Sequence, residues 1–301
     1  MKRRQFTKSS ALAIASFFLL KCKMQQTVQA ASDATGQKVD DFGLQLWSVR
    51  DAIATDPIAT LKTISNIGYT DVESAGYNGE GFYGLDTKTF KSVLSDMGLT
   101  MKSGHCSTGW NAPDQKGTLT NQWEKFLVDH KEIGVSSAVC GYLHEGERQS
   151  IDDYKRHADL FNRCAEKAKE YGIKFMHHNH DFEFFPINNQ VPYDLLLKET
   201  EKDLVNFEMD LYWIKKGNAD AFKYFENHPG RFPVWHVKDM DDTEKQFFTE
   251  VGSGIIDYVA LFRKAEQAGL ENFYVEQDAF KNIAPLTSVK QSHDYLKSIE
   301  Y

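Results

Sequence analysis

The sequence is short of cysteine, of basic residues and of long apolar runs, and each shortage excludes a class of protein. Its four cysteines, Cys22, Cys106, Cys140 and Cys164, have no C-x-x-C spacing, which excludes a disulfide framework and a zinc ribbon. Residues 1–30 hold six basic residues and no acidic one, so 29 basic and 43 acidic residues remain, a net charge of −14. Residues 31–301 are therefore acidic enough to repel nucleic acid, and we expect no nucleic-acid partner.

Residues 1–30 are typical of an export signal. A basic segment at 2–8 resembles a twin-arginine motif, and the apolar run at 9–20 is too short for a stable membrane span. We expect cleavage at the end of this signal, a tether at 31–41 and release into the periplasm. Cys22 leaves attachment by a lipid anchor, as a lipoprotein, open as an alternative.

After residue 41, strand patterns and helix patterns alternate eight times. The predicted strands cover 42–47, 69–73, 99–103, 137–142, 173–178, 205–209, 232–237 and 273–276. The predicted helices cover 57–67, 86–97, 120–133, 151–171, 193–200, 219–226, 258–268 and 284–299. This rhythm over 260 residues matches a closed parallel (β/α)8 barrel, and the first strand lacks the Gly-rich turn of an open dinucleotide-binding sheet. We therefore predict an α/β protein in which residues 42–301 form a single TIM-barrel domain.

Polar or ionisable side chains stand at or just beyond the end of every predicted strand. In a (β/α)8 barrel the carboxyl ends of the strands form the active site. The densest group, at 177–183, holds three histidines, an Asn, an Asp and a Glu in seven positions after an apolar run. The candidate site residues are Gln45, Trp47, Glu73, His105, His178, His180, Glu183, Asp210, Trp213, His236, Lys238 and Glu276.

The last four predicted strands bring carboxylates and imidazoles to one edge of the barrel. Such a set suits one divalent cation, Mn²⁺, Mg²⁺, Co²⁺ or Zn²⁺, and leaves positions open for substrate oxygens. Each residue has an ordinary alternative: Asp210 as a strand-end cap, His236 as a satisfied core histidine, and Glu276 as an ion-pair partner. Their coincidence on neighbouring strands favours a metal site.

Seven segments resemble the sugar phosphate isomerase/epimerase group of the xylose isomerase-like TIM barrels. They are GLQLWSVRD at 43–51, VESAGY at 72–77, HNHDFEF at 178–184, MDLYW at 209–213, HVKDM at 236–240, VGSGIID at 251–257 and VEQD at 275–278. The resemblance runs from about residue 42 to the C-terminus. It implies a barrel in which a Glu, an Asp, a His and a Glu hold one divalent metal ion.

Three of these four ligands match the resembling group directly. They are Asp210, His236 and Glu276. The fourth stays open among Glu183, His178 and His180, because many members of the group carry Glu where this chain has His178. We favour Glu183, which leaves the two histidines for acid/base chemistry.

The expected reaction is that of a metal-dependent isomerase or epimerase, which removes a proton next to the carbonyl of a sugar and returns it. His180 or His178 moves the proton, and Lys238 neutralises the enediolate. Because phosphorylated sugars are scarce outside the cytoplasm, we expect a free or keto sugar. The residues expected to bind it are Gln45, Trp47, Glu73, His105 and Trp213.

Two other functions remain as alternatives. If a leaving group is expelled instead of the proton being returned, the same site is a keto-glycoside lyase or dehydratase. A non-catalytic periplasmic sugar-binding barrel predicts missing metal ligands or a missing base, and the sequence lacks neither. Hydrolysis of nucleic acid needs several metals and a basic groove, which the acidic body disfavours.

Overall fold

The computed structural model describes residues 37–301. The expected export signal and most of the expected tether lie outside these residues and stay predictions. Residues 39–299 form one unit, the barrel, and 37–38 with 300–301 form a separate small unit in which Lys38 pairs antiparallel with Glu300. None of the helices in the described part of the chain is long and apolar enough to cross a membrane.

Eight parallel strands close into a barrel, as the sequence predicts. In chain order they are β1 Gly43–Gln45, β2 Asp71–Ser74, β3 Thr100–Ser107, β4 Ser137–Tyr142, β5 Lys174–His178, β6 Val205–Asp210, β7 Val234–Val237 and β8 Asn272–Val275. Each strand pairs with the next one along the chain, and β8 closes on β1 with Tyr274 opposite Gly43. Strand β3 runs past its predicted end at 103, so that His105 lies within the strand.

Helices on the outside of the barrel follow the strands. They are α1 Arg50–Thr55, α2 Pro57–Ile67, α3 Thr87–Asp96, α4 Trp123–Ile133, α5 Ile151–Glu170, α6 Pro192–Glu199, α7 Leu211–Lys216, α8 Ala221–Asn227, α9 Tyr258–Phe262, α10 Ala265–Ala268 and α11 Pro285–Ser298. The prediction of one helix over 258–268 is wrong, because Lys264 leaves helical geometry and separates α9 from α10. Helix α7 is additional to the predicted set and begins directly after β6.

Side chains of the barrel strands alternate between the lumen and the outer helices. In β7 the ring of Trp235 stacks on Phe225 of α8 and packs on Phe262 of α9, so it faces outward. Its neighbour His236 therefore points into the lumen. The packed floor of the lumen consists of Val139, Met176, Val234 and Tyr274. The next inward-facing positions toward the carboxyl ends of β5 and β7 are polar, because His178 and His236 lie two residues beyond Met176 and Val234.

One buried carboxylate fixes the loop that follows β7. Asp239 accepts hydrogen bonds from the backbone N–H groups of Gly252 at 2.9 Å, Gly254 at 3.1 Å and Ile256 at 3.1 Å, and from Met240 at 2.8 Å. A side chain at position 254 would start only 2.3 Å from this carboxylate, so the turn requires glycine. The carboxylate thus satisfies backbone groups that would otherwise be buried without partners.

We predict that Asp239→Ala destabilises the protein by about 2–4 kcal/mol, because several N–H groups lose their acceptor together. Unfolding in urea measures the loss. The matched control is Asp257→Ala, which removes a helix cap that accepts one exposed hydrogen bond from Ala260, at an expected cost of about 1 kcal/mol. Equal losses in the two variants would contradict the role given to Asp239.

Candidate metal and substrate site

A cavity of about 480 Å³ opens among residues at the carboxyl ends of the barrel strands. Six of the residues predicted from the sequence line it: Trp47, His105, His178, His180, Lys238 and Glu276. Tyr142 and Asp278 line it as well. Trp47 and Tyr142 are each 45% exposed, which places two aromatic side chains at the solvent side of a polar interior. The cavity therefore combines ionisable groups inside with apolar surfaces suited to a sugar ring.

Four side chains, on β5, β6 and β7 and directly after β8, converge on one point beside this cavity, and we call them the metal group. They are His178, Asp210, His236 and Glu276, whose ligand atoms all lie within 4.8 Å of one another. His178 Nε2 is 3.7 Å and His236 Nδ1 is 3.9 Å from Asp210 Oδ2, and His236 Nδ1 is 2.6 Å from Glu276 Oε2. The structure thus brings three predicted ligands together with His178, one of the alternatives for the fourth.

Asp210 presents one oxygen to the metal group and uses the other locally. Its Oδ1 accepts hydrogen bonds from the N–H groups of Tyr212 at 2.9 Å and Trp213 at 2.7 Å, which caps α7. Oδ2 is buried and accepts no hydrogen bond within the described residues. Burial raises the pKa of Asp210 to about 6, although Lys238 and His236 oppose the shift. Its nearest cation is the ammonium of Lys238, which lies 2.9 Å from Oδ2.

Glu183, the favoured fourth ligand, lies apart from the metal group, which corrects that expectation. The chain forms a 3-10 turn at Phe182–Phe184 instead of continuing the strand. Glu183 contacts His177 Nε2 through Oε1 at 3.2 Å and accepts the backbone N–H of His180 through Oε2 at 2.8 Å. His177 stacks on Phe161 of α5, so Glu183 belongs to the outer side of the barrel wall.

Lys238 is a buried ammonium at the edge of the metal group. Its Nζ lies 2.6 Å from Glu276 Oε2, 2.7 Å from Asp278 Oδ2 and 2.9 Å from Asp210 Oδ2, and the residue is 1% exposed. Burial lowers the pKa of Lys238, but the three carboxylates outweigh it and hold that pKa well above its ordinary value. Lys238 therefore stays charged and faces the cavity.

His180 offers a neutral imidazole to the same cavity. Its ring stacks on Phe182 and packs against Trp213 and the edge of Tyr142, at centroid distances of 5.3, 5.2 and 5.1 Å. Nδ1 of the ring has no hydrogen-bond partner within residues 37–301. Burial and the charge of Lys238 hold the pKa of His180 well below its ordinary value. The imidazole is therefore neutral and can accept a proton, but its lowered pKa makes it a weaker base than a free histidine.

A second layer of polar side chains lies beneath the metal group, and we call it the lower layer. Its members are Gln45, Glu73, His105 and Glu208. Gln45 Nε2 donates to Glu73 Oε2 at 2.7 Å, and His105 Nε2 lies 2.8 Å from Glu208 Oε2. Burial lowers the pKa of His105, but Glu73 and Glu208 raise it to about 10. Since Gln45 and Glu73 are fully buried and do not line the cavity, the structure does not place them where they touch a substrate.

Sequence reasoning missed Glu208 and Tyr142 and misplaced Trp213. Glu208 stands two residues before Asp210 on β6, and the two-residue period of a strand is the signal that could have found it. Trp213 does not line the cavity, because it lies against the ring of His180. Tyr142 ends β4 and offers the exposed ring that was expected of Trp213.

Comparison with known proteins agrees with the barrel fold. Residues 61–299 match the family described as xylose isomerase-like TIM barrel. The chain belongs to this family. A xylose isomerase-like TIM barrel from Mycobacterium smegmatis in complex with magnesium shares the fold, with 13% identity and a TM-score of 0.65 over 85% of this chain and 95% of that one.

Two other relatives of this xylose isomerase-like barrel are described as enzymes. A sugar phosphate isomerase/epimerase from Parabacteroides distasonis is 28% identical, with a TM-score of 0.74 over 88% of this chain and 96% of that one. An inosose dehydratase from Clostridium perfringens is 21% identical over 268 residues, which cover 76% of this chain and 87% of the relative. The family therefore includes both isomerases or epimerases and lyases.

We predict that Lys238→Met destabilises the metal-free protein by about 3–5 kcal/mol, because three carboxylates lose their shared cation. Added Mn²⁺ should recover part of this loss. Urea unfolding in EDTA and in Mn²⁺ measures both effects. The control is Lys125→Met, since Lys125 is 48% exposed and pairs with Asp129, a pair expected to contribute at most about 1 kcal/mol. If Lys238→Met lowers the free energy of unfolding no more than Lys125→Met does, the prediction is contradicted.

Proposed function

We propose that this barrel is a divalent-metal-dependent isomerase or epimerase that removes and returns a proton next to the carbonyl of a free or keto sugar. One observation carries the proposal: a neutral imidazole and an ammonium, His180 and Lys238, line one cavity together with His178 and Glu276 of the metal group. Proton abstraction next to a carbonyl requires a base and a positive charge near the oxygen that becomes negative.

The metal group fits a divalent cation by its donor atoms and its charge. Asp210 Oδ2 is buried and contacts the ammonium of Lys238 at 2.9 Å, and the four side chains offer two imidazoles and two carboxylates. Two imidazole ligands favour Mn²⁺, Co²⁺ or Zn²⁺ over Mg²⁺. When bound, such an ion polarises a carbonyl oxygen and acidifies the adjacent C–H group.

The side chains around the metal group have three further roles: proton transfer, stabilisation of negative charge and binding of the sugar. A ring nitrogen of His180 accepts the proton from the substrate carbon and gives it back. Lys238 donates a hydrogen bond to the oxygen on which negative charge develops, and Asp278 holds the ammonium in place at 2.7 Å. Trp47 and Tyr142 offer their exposed rings to the apolar faces of the sugar.

An uncharged sugar suits this cavity better than a sugar phosphate. The single ammonium among the lining residues already faces three carboxylates, of Asp210, Glu276 and Asp278. The backbone N–H groups of Gly252 and Gly254, a glycine-rich turn of the kind that binds phosphate elsewhere, donate to Asp239 instead. The export signal expected at 1–30 supports the same substrate class, and we propose that the enzyme acts in the periplasm.

Dehydration is the second candidate, and the inosose dehydratase relatives favour it. His180 would take the same proton, a carbon–carbon double bond would form, and a neighbouring hydroxyl would leave as water after gaining a proton. The two reactions share the removal of the proton and differ in whether it returns to carbon or a hydroxyl leaves.

Exchange of substrate C–H with D₂O tests the shared first step. The metal-loaded protein is incubated with a panel of free sugars, keto sugars and glycosides, and proton NMR follows the loss of C–H signals. We predict exchange in at least one compound, with an epimer or isomer as product for the first candidate and an unsaturated product for the second. No exchange in the whole panel would contradict both.

We predict that His180→Gln lowers the exchange rate by about 10²–10⁴-fold, the usual contribution of a general base, while the metal stays bound. The rate of deuterium incorporation and the metal content measure the two quantities. The control is His144→Gln, because His144 lies outside the residues that line the cavity and caps a local turn. An unchanged rate in His180→Gln would remove His180 from the reaction.

We predict that Asp210→Asn abolishes metal retention through gel filtration, whereas Glu183→Gln retains it. Asp210 belongs to the metal group, and Glu183 is bonded to His177 and the backbone of His180. Elemental analysis of the gel-filtered protein measures the bound metal. Full occupancy in Asp210→Asn, or loss in Glu183→Gln with the fold intact, would show that the metal group is wrong.

A further inference from the structure

We propose that Glu73 and Glu208 are positioning residues, each of which fixes the nitrogen that one imidazole of the metal group turns toward the metal. The proposal rests on the metal site of the proposed function. It replaces the expectation that Glu73 binds substrate. Both carboxylates are 0% exposed, so neither touches a molecule in the cavity.

Glu208 acts on His178. The two are neighbours across β5 and β6, and His178 Nδ1 lies 3.0 Å from Glu208 Oε2. The other ring nitrogen, Nε2, faces Asp210 Oδ2 at 3.7 Å. An ionised carboxylate only accepts, so a proton on Nδ1 is the arrangement that Glu208 stabilises. The lone pair of Nε2 is then left for the metal.

Glu73 acts on His236 in the opposite sense. His236 Nε2 lies 2.6 Å from Glu73 Oε2, while Nδ1 faces Glu276 Oε2 at 2.6 Å. Glu208 Oε2 also lies 3.2 Å from His236 Nε2. Both nitrogens of the metal-free ring therefore face a carboxylate, and metal binding would take the proton from Nδ1 while Glu73 keeps the one on Nε2. When a metal is bound the two imidazoles would carry their protons on opposite nitrogens, with Glu208 the acceptor at His178 Nδ1 and Glu73 the nearer acceptor at His236 Nε2. Such outer partners orient a metal-binding imidazole and raise its basicity.

The two carboxylates are themselves held in place by the rest of the lower layer. Gln45 Nε2 donates to Glu73 Oε2 at 2.7 Å, and His105 Nε2 lies 2.8 Å from Glu208 Oε2 and 3.2 Å from Glu73 Oε2. Gly141 leaves room for His105, because a Cβ there would be 2.2 Å from the His105 ring. A buried carboxylate is costly unless it is paired, and these contacts hold the pair beneath the metal group.

Glu73→Gln and Glu208→Gln test the proposal, because each keeps the side-chain size and removes the fixed acceptor. We expect the dissociation constant for Mn²⁺, measured by competition with a chelator, to rise about 10–100-fold in each variant. The matched control is Glu183→Gln, a buried glutamate bonded to the outward-facing His177, in which the constant should not change.

A double-mutant cycle separates positioning from a general loss of negative charge. In a His178→Ala background, Glu208→Gln should have a smaller effect than in the wild type, since the contact with His178 is gone and only the 3.2 Å contact with His236 Nε2 remains. Glu73→Gln should still weaken Mn²⁺ binding by its full factor there, because it acts on His236. If Glu208→Gln weakens binding equally in both backgrounds, the effect is charge alone and the positioning role is wrong.

Nitrogen-15 NMR of the histidine rings gives a readout that needs neither metal binding nor activity. In the metal-free wild-type protein His178 should carry its proton on Nδ1 and His236 should carry one on Nε2, and Glu208→Gln should displace the first proton whereas Glu73→Gln should leave it in place. The reverse tautomers in the wild type would overturn the proposal, even if the protein proves to bind no metal. A second bound Mn²⁺ that either carboxamide variant loses would also overturn it, since the lower layer would then be a ligand set.

Discussion

Burial of negative charge in the barrel lumen is the constraint on which the rest of the site depends. Glu73, Glu208 and Asp210 are 0% exposed and Glu276 is 5% exposed, and all four stand at one end of the barrel. Carboxylates in such surroundings require positive charge or hydrogen-bond donors. The chain supplies the ammonium of Lys238 and the imidazoles of His105, His178 and His236. A divalent cation in the metal group would supply the rest of the positive charge.

The barrel and the core of the site were predictable because both follow from simple periodicities. Eight alternations of strand and helix over this length allow few folds, and the carboxyl ends of parallel strands meet on one face. Asp210, His236 and Glu276 therefore had to be close once each was recognised as a strand-end residue. The structure brings these three side chains together with His178, and their role as metal ligands stays a prediction.

The residues that were misplaced depend on local turns and on how deep in the barrel a side chain lies. Strand periodicity predicts neither. Glu183 was assigned to the site as if the strand continued, but the 3-10 turn at Phe182–Phe184 directs it to the outer side. Gln45 is the last residue of β1 and Glu73 the last but one of β2, and both lie fully buried beneath the cavity. Glu208 is the exception, because it stands two residues before Asp210 on the same face of β6, where strand periodicity could have found it.

Anomalous diffraction from crystals grown with Mn²⁺ tests the central claim, that the metal group binds a divalent cation, most directly. The account predicts a single strong peak bonded to His178 Nε2, His236 Nδ1, Asp210 and Glu276, at about 2.0–2.3 Å from each. A peak bonded to Glu183, or no peak among these four side chains at saturating Mn²⁺, would contradict it.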